Sequence, residues 1–160
     1  METTIRPIQG REEIDVCARM MAGSEPWITL QRDYDASAQT LTSPGKEVYV
    51  AADGSQILGF IILNMQGGFT GYIQSIGVAP EWRSRGIGRR LVAYAEKRIF
   101  REAPNVFICV SSFNAGAQRF YRSLGYEAIG ELSDFVVRGH SEILLRKTIA
   151  PWREFKKRSV

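Results

Sequence analysis

A strand, a tight glycine-rich turn, an amphipathic helix and a second strand follow one another within residues 71–111. The first strand reads GYIQSIGVA and ends at Pro80. The helix has one apolar face, with side chains at helical spacing: Ile87, Leu91, Val92, Ala95 and Ile99. The second strand, NVFICVS at 105–111, is nearly all apolar, which is typical of a central strand covered on both faces. Two strands joined by a helical crossover run parallel, so the chain must build a sheet with at least one parallel pair.

Apolar runs bounded by turn residues predict the other strands at 3–8, 47–52, 56–65, 126–132 and 141–148. Helical periodicity predicts further helices at 11–21, 24–41 and 114–125. We expect Ser24 to cap the second of these, with Pro26 in its first turn, and Asn114 to cap the third, which Gly125 ends. The order β-α-α-β-β-β-α-β-α-β-β predicts an α/β fold in which a mixed sheet of about seven strands is flanked by four helices.

The length and net charge of the chain limit how many domains it can form and which classes of partner it suits. A chain of 160 residues suits one domain, which we place at 1–149, followed by a basic tail at 150–160. A net charge of +4 permits an anionic ligand without requiring nucleic acid. We see no apolar run long enough for a membrane span and no secretory signal in METTIRPIQGREEID, so we expect a cytoplasmic protein.

Two cysteines and one histidine limit the available chemistry. Cys17 and Cys109 stand far apart in apolar surroundings without CxxC spacing, which indicates two buried thiols in a reducing compartment. A lone His140 excludes a zinc site built on several histidines and has no visible partner motif for a catalytic triad. We therefore expect no metal.

The turn PEWRSRGIGRRL at 80–91 is the segment best suited to hold an anion. The first amides of a helix lack intrahelical partners and lie at the positive end of its dipole, so they attract phosphate. Gly86 and Gly88 leave the backbone open there. The P-loop spacing is absent, and Leu91 replaces the third glycine of a dinucleotide fingerprint. The residues alone leave two interpretations equally open, an anion site at a helix start or a tight turn beside solvated arginines.

Two segments carry a resemblance to a known family. IGVAPEWRSRGIGRRLV at 76–92 resembles motif A of the Gcn5-related N-acetyltransferase (GNAT) superfamily, a hydrophobic-x-Val-x-Pro run followed by [Q/R]-x-x-G-x-[G/A]. NAGAQRFYRSLGYE at 114–127 is similar to the family's N-x-x-A-x-x-x-Y-x-x-x-G-[F/Y] segment. The element order agrees with the family fold from end to end. The chain also bears some likeness to the ribosomal-protein alanine acetyltransferases within that family.

The resemblance implies where acetyl-coenzyme A (acetyl-CoA) would bind. The strand 73–78 would diverge from 105–111, and the pantetheine arm would lie in the gap, bonded to the Ile76 and Val78 backbones like an extra strand. The Val78 amide would then stabilise negative charge developing on the thioester oxygen. Gly77 between them is explained equally well as a bulge glycine. The pyrophosphate would be bound by backbone amides of Arg83, Ser84, Arg85, Gly86, Ile87 and Gly88.

The second segment supplies the acid that the resemblance implies. The leaving thiolate needs a proton, and a tyrosine with a pKa of about 10 can supply it when well placed. Tyr121 matches the family's general-acid tyrosine, although it lies on the inner stripe of its helix, where a tyrosine is more often part of the core. Asn114 would contact the pantetheine in addition to capping the helix.

The general base is not evident from the sequence. Many family members carry a glutamate on the strand that here offers only Gln74 and Ser75. The ribosomal-protein alanine acetyltransferases place an acid five residues before the asparagine, where this chain has Cys109. A free cysteine can act as a base or an acyl acceptor, but an apolar strand raises the pKa of the thiol. From the burial preference of cysteine we interpret Cys109 as a core residue.

Other side chains could reach the acceptor amine. The candidate acids are Glu25, Asp134 and Glu142, each of which also suits an ordinary surface or cap role. The candidate lining and rim residues are aromatic, and each also suits simple packing: Trp27, Tyr34, Phe69 and Tyr72.

We therefore expect an acetyl-CoA-dependent enzyme that acetylates a primary amine by direct attack in a ternary complex. The acceptor stays open among small amines, amino acids, antibiotics, polyamines, peptide N-termini and protein lysines. The missing base motivates a second hypothesis, a noncatalytic CoA-binding or sensing module. The arginines and the basic tail motivate a third, nucleic-acid binding, which we rank last because the arginine segment lacks aromatic platforms. We expect neither nucleic-acid nor membrane partners, and dimers are common in the resembling family.

Overall fold

The computed structural model of the protein describes residues 2–157. Seven strands form one sheet in the order β1-β2-β3-β4-β5-β7-β6. The strands are β1 Thr4–Pro7, β2 Lys46–Asp53, β3 Gln56–Asn64, β4 Tyr72–Val78, β5 Asn105–Ser111, β6 Glu127–Leu132 and β7 Glu142–Thr148. The helices are α1 Gly10–Ala22, α2 Tyr34–Thr42, α3 Ile87–Ile99 and α4 Ala115–Ser123. The predicted mixed sheet with four flanking helices is therefore confirmed.

Strand pairing follows the predicted crossover. Every neighbouring pair is antiparallel except β4 and β5, which are parallel and joined through α3. A single 3₁₀ turn at Pro80–Trp82 connects β4 to the loop that precedes α3. This connection carries the chain from the end of β4, through a short loop, to the first turn of α3.

Two apolar cores lie on opposite faces of the sheet. The core on the α3 face includes Leu58, Ile61 and Ile73 from the strands and all the apolar residues predicted for the helix stripe, together with Tyr121 and Tyr126. The core on the other face joins α1 and α2 to β2 and β3 through residues such as Met21, Val50, Phe60 and Ile62. None of the helices in residues 2–157 is long and apolar enough to cross a membrane.

One face of β5 is less covered than its apolar sequence predicts. The side chains of Phe107 and Cys109 are half-buried, whereas Val106 and Ile108 on the opposite face are buried. The reason is the placement of the first two helices, since α1 contacts β3 and β4 and α2 contacts β2. The predictions that β5 is covered on both faces and that Cys109 belongs to the core were therefore wrong, while Cys17 is fully buried as expected.

The helix predicted at 24–41 begins only at Tyr34. Residues from Ser24 to Leu30 form successive turns, in which the Ile28 amide donates to the Ser24 carbonyl. Gln31 then adopts a φ of +57°, which interrupts the helical conformation. Asp33 provides the cap, because its carboxylate accepts from the Ala36 amide at 2.9 Å. Ser24 is therefore not the helix cap that the sequence suggested.

Two polar side chains of α3 are fastened to the sheet, while Arg89 and Lys97 are exposed. Glu96 accepts from the Tyr126 hydroxyl at 3.0 Å and pairs with Lys147 at 3.1 Å. Arg98 pairs with Glu47 on β2 at 2.7 Å. The periodicity of the helix could not reveal these contacts, because the partners lie far away in the sequence: Glu47 on β2, Tyr126 just before β6 and Lys147 on β7.

Arg90 is exposed, but its side chain also bonds the protein. Its guanidinium donates to the Thr3 carbonyl at 2.6 Å, which ties α3 to the residue before β1. We expect Arg90→Ala to lower the free energy of unfolding by about 1 kcal/mol, the usual contribution of one such hydrogen bond. It should leave the loop before α3 unchanged, because the contact lies on the other side of the helix start.

Urea unfolding followed by circular dichroism measures this effect. Arg89→Ala is the matched control, because Arg89 is exposed and makes no hydrogen bond or ion pair within residues 2–157. The control should stay within about 0.5 kcal/mol of the parent protein. Equal unfolding free energies for the two variants would show that the Thr3 contact contributes nothing.

Candidate functional site

A wedge-shaped gap opens between the two parallel strands. Their pairing is limited to Tyr72 with Phe107 and Ile73 with Ile108. Beyond these pairs β4 continues to Val78 and β5 to its own end without hydrogen bonds between them. The divergence expected of 73–78 and 105–111 is therefore present, and it leaves one edge of β4 unpaired.

The unpaired edge of β4 presents backbone groups to the gap. The Ala79 amide donates to the Leu58 carbonyl of β3 at 2.9 Å. Bonded and non-bonded residue pairs alternate in an antiparallel ladder, so Val78 and Ile76 turn their amides and carbonyls away from β3 and toward β5. The Val78 carbonyl accepts from the Arg83 Nε at 3.1 Å. The amides of Ile76 and Val78 are thus placed to bond a molecule lying in the gap.

A β-bulge interrupts β4 before this edge. Ser75 pairs with Ile62 and Ile73 pairs with Leu63, so Gln74 has no partner on β3. The Gln74 Oε1 is buried and without a hydrogen-bond partner in the described part of the chain. A bulge bends and twists its strand, which favours the divergence of β4 from β5.

Gly77 is therefore not a bulge glycine. A Cβ at this position would lie 2.5 Å from the Phe60 ring and 3.2 Å from Trp27. The glycine is needed because the α1 and α2 face of the sheet packs these two large rings directly against the β4 backbone. Trp27 is only 7% exposed and stacks at 6.1 Å from Phe60, so it belongs to the core.

The loop that enters α3 has a row of unpartnered amides. Ser84 and Gly86 both adopt left-handed conformations, with φ of +60° and +82°. Within residues 2–157, no amide from Ser84 to Arg89 donates to a protein acceptor. Successive amides in such a turn, continued by the first turn of a helix, form a concave anion-binding surface.

The two glycines of the loop serve different needs. Gly86 adopts a backbone conformation that L side chains disfavour, while the space around its Cβ position is open. Gly88 lies in the first turn of α3, where a Cβ would come within 3.6 Å of Phe120 on α4 and 3.8 Å of Val78. Gly86 therefore sets the shape of the loop, whereas a Cβ at Gly88 would make only ordinary van der Waals contacts with Phe120 and Val78.

The arginines of the loop are partly engaged with the protein. Arg83 holds the loop to the end of β4 through the Val78 carbonyl and approaches the Ser24 hydroxyl at 3.5 Å. Arg85 lies over the Trp82 ring at 4.9 Å from its centre. Both side chains are therefore engaged with protein groups on or beside the loop.

Tyr121 combines a core ring with an unsatisfied hydroxyl. Its side chain is 2% exposed and its ring meets Phe120 and Tyr126 edge to face at 5.1 and 5.3 Å. The hydroxyl is buried and has no hydrogen-bond partner in the described residues. Burial raises the pKa of this phenol well above its ordinary value. Buried polar groups are nearly always partnered, so the orphaned hydroxyl indicates a place for a ligand.

Asn114 caps α4 as expected. Its side chain accepts from the Ala117 amide at 3.1 Å. At the other end of the helix Gly125, with φ of +92°, precedes Tyr126, whose amide returns to the Tyr121 carbonyl at 3.1 Å. This closing turn is a Schellman motif, and it fixes α4 beside the end of β5.

Several predicted acceptor-side residues are occupied elsewhere. Glu25 accepts from the Thr29 amide and hydroxyl at 3.1 and 2.9 Å. The Tyr34 hydroxyl donates to Asp15 on α1 at 2.7 Å, and Asp134 accepts from the Gly139 amide at 2.7 Å. These contacts organise local turns and helix packing. Among the aromatic candidates, exposed Phe69 packs on Phe107 at 4.8 Å and Tyr72 lies beside Cys109.

Glu142 is the acid that the sequence undervalued. It begins β7 directly opposite Ser111 of β5 and is only 6% exposed. Its Oε2 has no hydrogen-bond partner in the described residues. Nothing in the local sequence marks this burial, because it arises from the pairing of β7 with β5, which lies some thirty residues earlier in the chain.

Comparison with known proteins identifies relatives over most of the chain. The model of the acetyltransferase (GNAT) family matches residues 12–126. The N-alpha-acetyltransferase RimI of Mycobacterium tuberculosis is 30% identical over 116 residues, which cover 71% of this chain and 69% of that protein. A Methanocaldococcus jannaschii protein described as an uncharacterized N-acetyltransferase is 34% identical over 101 residues, 62% of this chain and 64% of its own.

Solved structures share the fold at lower identity. An aminoglycoside 6'-N-acetyltransferase complexed with coenzyme A has a TM-score of 0.75 and 23% identity, covering 92% of this chain and 98% of its own. The ribosomal-protein-S18-alanine N-acetyltransferase of Escherichia coli has a TM-score of 0.72 and 16% identity, covering 97% and 100%. At these identities the likeness establishes the common architecture.

Proposed function

The chain belongs to the acetyltransferase (GNAT) family, and on that premise we propose that it transfers the acetyl group of acetyl-CoA to a primary amine by direct attack in a ternary complex. The observation that carries the proposal is the row of unpartnered amides from Ser84 to Arg89 beside an unpaired strand edge. A pyrophosphate and an amide-containing arm would satisfy both features at once. The shape of the gap thus fits an extended, acyl-bearing coenzyme.

Each residue predicted for coenzyme binding has a definite task in this proposal. The backbone of Ser84, Arg85, Gly86, Ile87 and Gly88 would hold the pyrophosphate, since helix-start amides and the positive dipole favour anions. Arg83 supports the loop from behind through its bond to Val78. The Ile76 backbone would bond the pantetheine arm, and Asn114 would contact it from the start of α4.

The reacting groups would meet where β4 ends. Acetyl-CoA supplies an activated acetyl thioester when bound. The Val78 amide faces the gap and would stabilise negative charge on the thioester oxygen. The Tyr121 hydroxyl would donate its proton to the departing sulfur. Its burial suits this role, because a dry site raises the proton affinity of the thiolate as well as that of the phenol.

Specific observations bear on two other possible functions. A noncatalytic CoA-binding module is motivated by Gln74 and Ser75, which stand on β4 in place of a glutamate. Nucleic-acid binding is disfavoured because Arg83 and Arg90 bond protein carbonyls and Arg85 stacks on Trp82. The partners proposed here are therefore acetyl-CoA and an amine, in a cytoplasmic protein of one domain at 1–149 that is open to homodimerisation.

Calorimetric titration with acetyl-CoA and release of free thiol test the proposal together. The acceptor panel comprises phenylethylamine, the aminoglycoside kanamycin and a tripeptide beginning with alanine, which span hydrophobic, polycationic and peptide amines. Binding with thiol release supports the enzyme. Binding without release for any amine supports the noncatalytic module, and no binding at high micromolar acetyl-CoA overturns both.

A further inference from the structure

Unpartnered polar atoms gather around the gap between β4 and β5. Within residues 2–157, and apart from Ser37 and Trp82, the buried side-chain oxygens and nitrogens without a partner belong to four residues: Gln74, Ser111, Tyr121 and Glu142. Gln74 lies at the β4 bulge, Ser111 ends β5, Glu142 pairs with Ser111, and Tyr121 lies on the helix that follows β5. An unpaired buried group is costly, so this concentration points to a polar molecule that would bond them.

Glu142 and Ser111 lie on the face of the sheet opposite α3, where both are buried. The Ser112 amide donates to the Ser141 carbonyl at 2.9 Å, so the next pair, Ser111 with Glu142, is the non-bonded type whose side chains approach closely. Side chains two residues apart on a strand share a face, so Ser111 shares a face with the half-buried Cys109. This face is the one over β5 that α1 and α2 do not cover.

Burial and neighbouring groups act in opposite directions on the pKa of Glu142. Burial raises the pKa of its carboxyl, while Ser111, Arg32 and His140 pull that pKa down. Arg32 precedes α2 and His140 precedes β7, so they approach from two loops. Burial is the main cause that raises the pKa values of Tyr72 and Cys109, and the nearby charge of Glu142 raises both further. A carboxylate in this position stays available to accept a proton from a bound cation.

We propose that Glu142 binds the ammonium group of the acceptor and accepts its proton, on the face of β5 and β7 opposite α3, beside the gap. This inference rests on the proposed function and supplies the base that the sequence did not reveal. Gln74 and Ser111 would bond the same amine through their unpartnered oxygens. The site would take a primary amine in its protonated form, which is the form present in solution near neutral pH.

The transfer balances with two protons. Glu142 takes one proton from the ammonium nitrogen, which leaves a neutral amine. That nitrogen forms a bond to the thioester carbonyl carbon, and the carbon–sulfur bond breaks. Tyr121 gives its proton to the sulfur, and the second nitrogen proton returns through water to the Tyr121 oxygen. Glu142 then releases its proton to solvent, so the products are an N-acetyl amide and a free thiol.

The alternatives on the same side of the molecule are weaker bases. Glu25 and Asp134 are exposed and are engaged by local amides. Burial raises the pKa of the Cys109 thiol, so little thiolate is present. Glu142 is the buried carboxylate whose oxygen lacks a partner in the described residues.

Glu142→Gln tests the assignment, because the amide keeps the shape and removes the charge. We expect at least a 10-fold loss of affinity for the amine that binds best among phenylethylamine, kanamycin and the alanine tripeptide, measured by calorimetry on the CoA-loaded protein. We expect about a 100-fold loss of kcat/KM at neutral pH, within the range typical of a lost general base. Affinity for acetyl-CoA should change less than 2-fold.

The pH profile separates this role from a structural one. A base must be ionised to act, so kcat/KM rises with pH through its pKa, and a raised pKa moves that rise upward. This limb should disappear in Glu142→Gln, while the limb that belongs to the amine itself remains. Glu142→Asp should recover part of the affinity. Glu131→Gln is the control, because Glu131 is an exposed glutamate on the neighbouring strand β6.

The measurements of amine binding and of thiol release give separable outcomes. Equal amine affinity in the parent protein and Glu142→Gln, or no binding by any of the three amines, overturns the Glu142 site. Weaker binding in Glu142→Gln alone supports it. If the parent protein binds an amine through Glu142 but releases no thiol, the site stands and the proposed acetyl transfer fails.

Discussion

Tyr121→Phe is expected to lower kcat by about 100-fold or more while raising the stability of the protein. The hydroxyl is the proposed acid, and loss of a positioned general acid typically costs two to four orders of magnitude in rate. The same hydroxyl is buried without a partner in the described residues. Its removal relieves a desolvation cost, so we expect the free energy of unfolding to rise by about 1 kcal/mol. Steady-state kinetics and urea unfolding of the same preparation measure both effects.

Tyr126→Phe is the matched control for this result. Tyr126 packs against Tyr121, but its hydroxyl donates to Glu96 at 3.0 Å. Loss of that bond should lower the free energy of unfolding by about 1.5 kcal/mol, a value typical for a hydrogen bond to a charged group, and leave kcat unchanged. The two substitutions remove the same atom and should move stability in opposite directions. A loss of stability in Tyr121→Phe without a loss of rate would refute the acid role.

Gly86→Val is expected to weaken acetyl-CoA binding by about 100-fold or more. Gly86 has a φ of +82°, a conformation that costs most residues about 1–2 kcal/mol and a β-branched residue more. The loop would relax to relieve this strain and disperse its amides. Loss of two charge-assisted hydrogen bonds at about 1.5 kcal/mol each corresponds to a factor above 100. Calorimetry with acetyl-CoA measures the affinity, and circular dichroism verifies the fold.

Ser84→Gly provides the control at the same loop. Ser84 also has a left-handed conformation, with φ of +60°, so a glycine there removes strain and keeps the amide row in place. We expect acetyl-CoA affinity within about 2-fold of the parent protein. Unchanged affinity in Gly86→Val would mean that the loop amides do not hold the coenzyme.

Features that follow local rules could be predicted from the sequence. The start of α3 at the glycine turn, the Asn114 cap and the Gly125 ending depend on residues within a few positions of one another. The parallel pair follows from the strand–helix–strand order alone. The location of the candidate site was therefore predictable, because it is built from the backbone of one short connection.

Features set by distant pairing could not be predicted. The bulge at Gln74 depends on the register of β4 against β3, and the need for glycine at position 77 depends on the Phe60 ring. The engagement of Arg90 requires Thr3, and the burial of Glu142 requires Ser111. In each case the residue on which the feature depends is distant in the sequence and is brought close by the fold, so no local sequence pattern indicates it.

The short pairing between β4 and β5 divides the proposed reacting groups between two parts of the sheet. The sheet consists of two halves, β1 to β4 and β5 to β7, whose backbones pair at only two residue positions, while the core on the α3 face packs against both. Val78 belongs to the first half, whereas Glu142 lies in the second and Tyr121 on the helix that follows β5. A coenzyme bonded along β4 and touching α4 would contact both halves. The bound coenzyme would thus connect the oxyanion-stabilising amide of Val78 on one half with the proposed acid and base on the other.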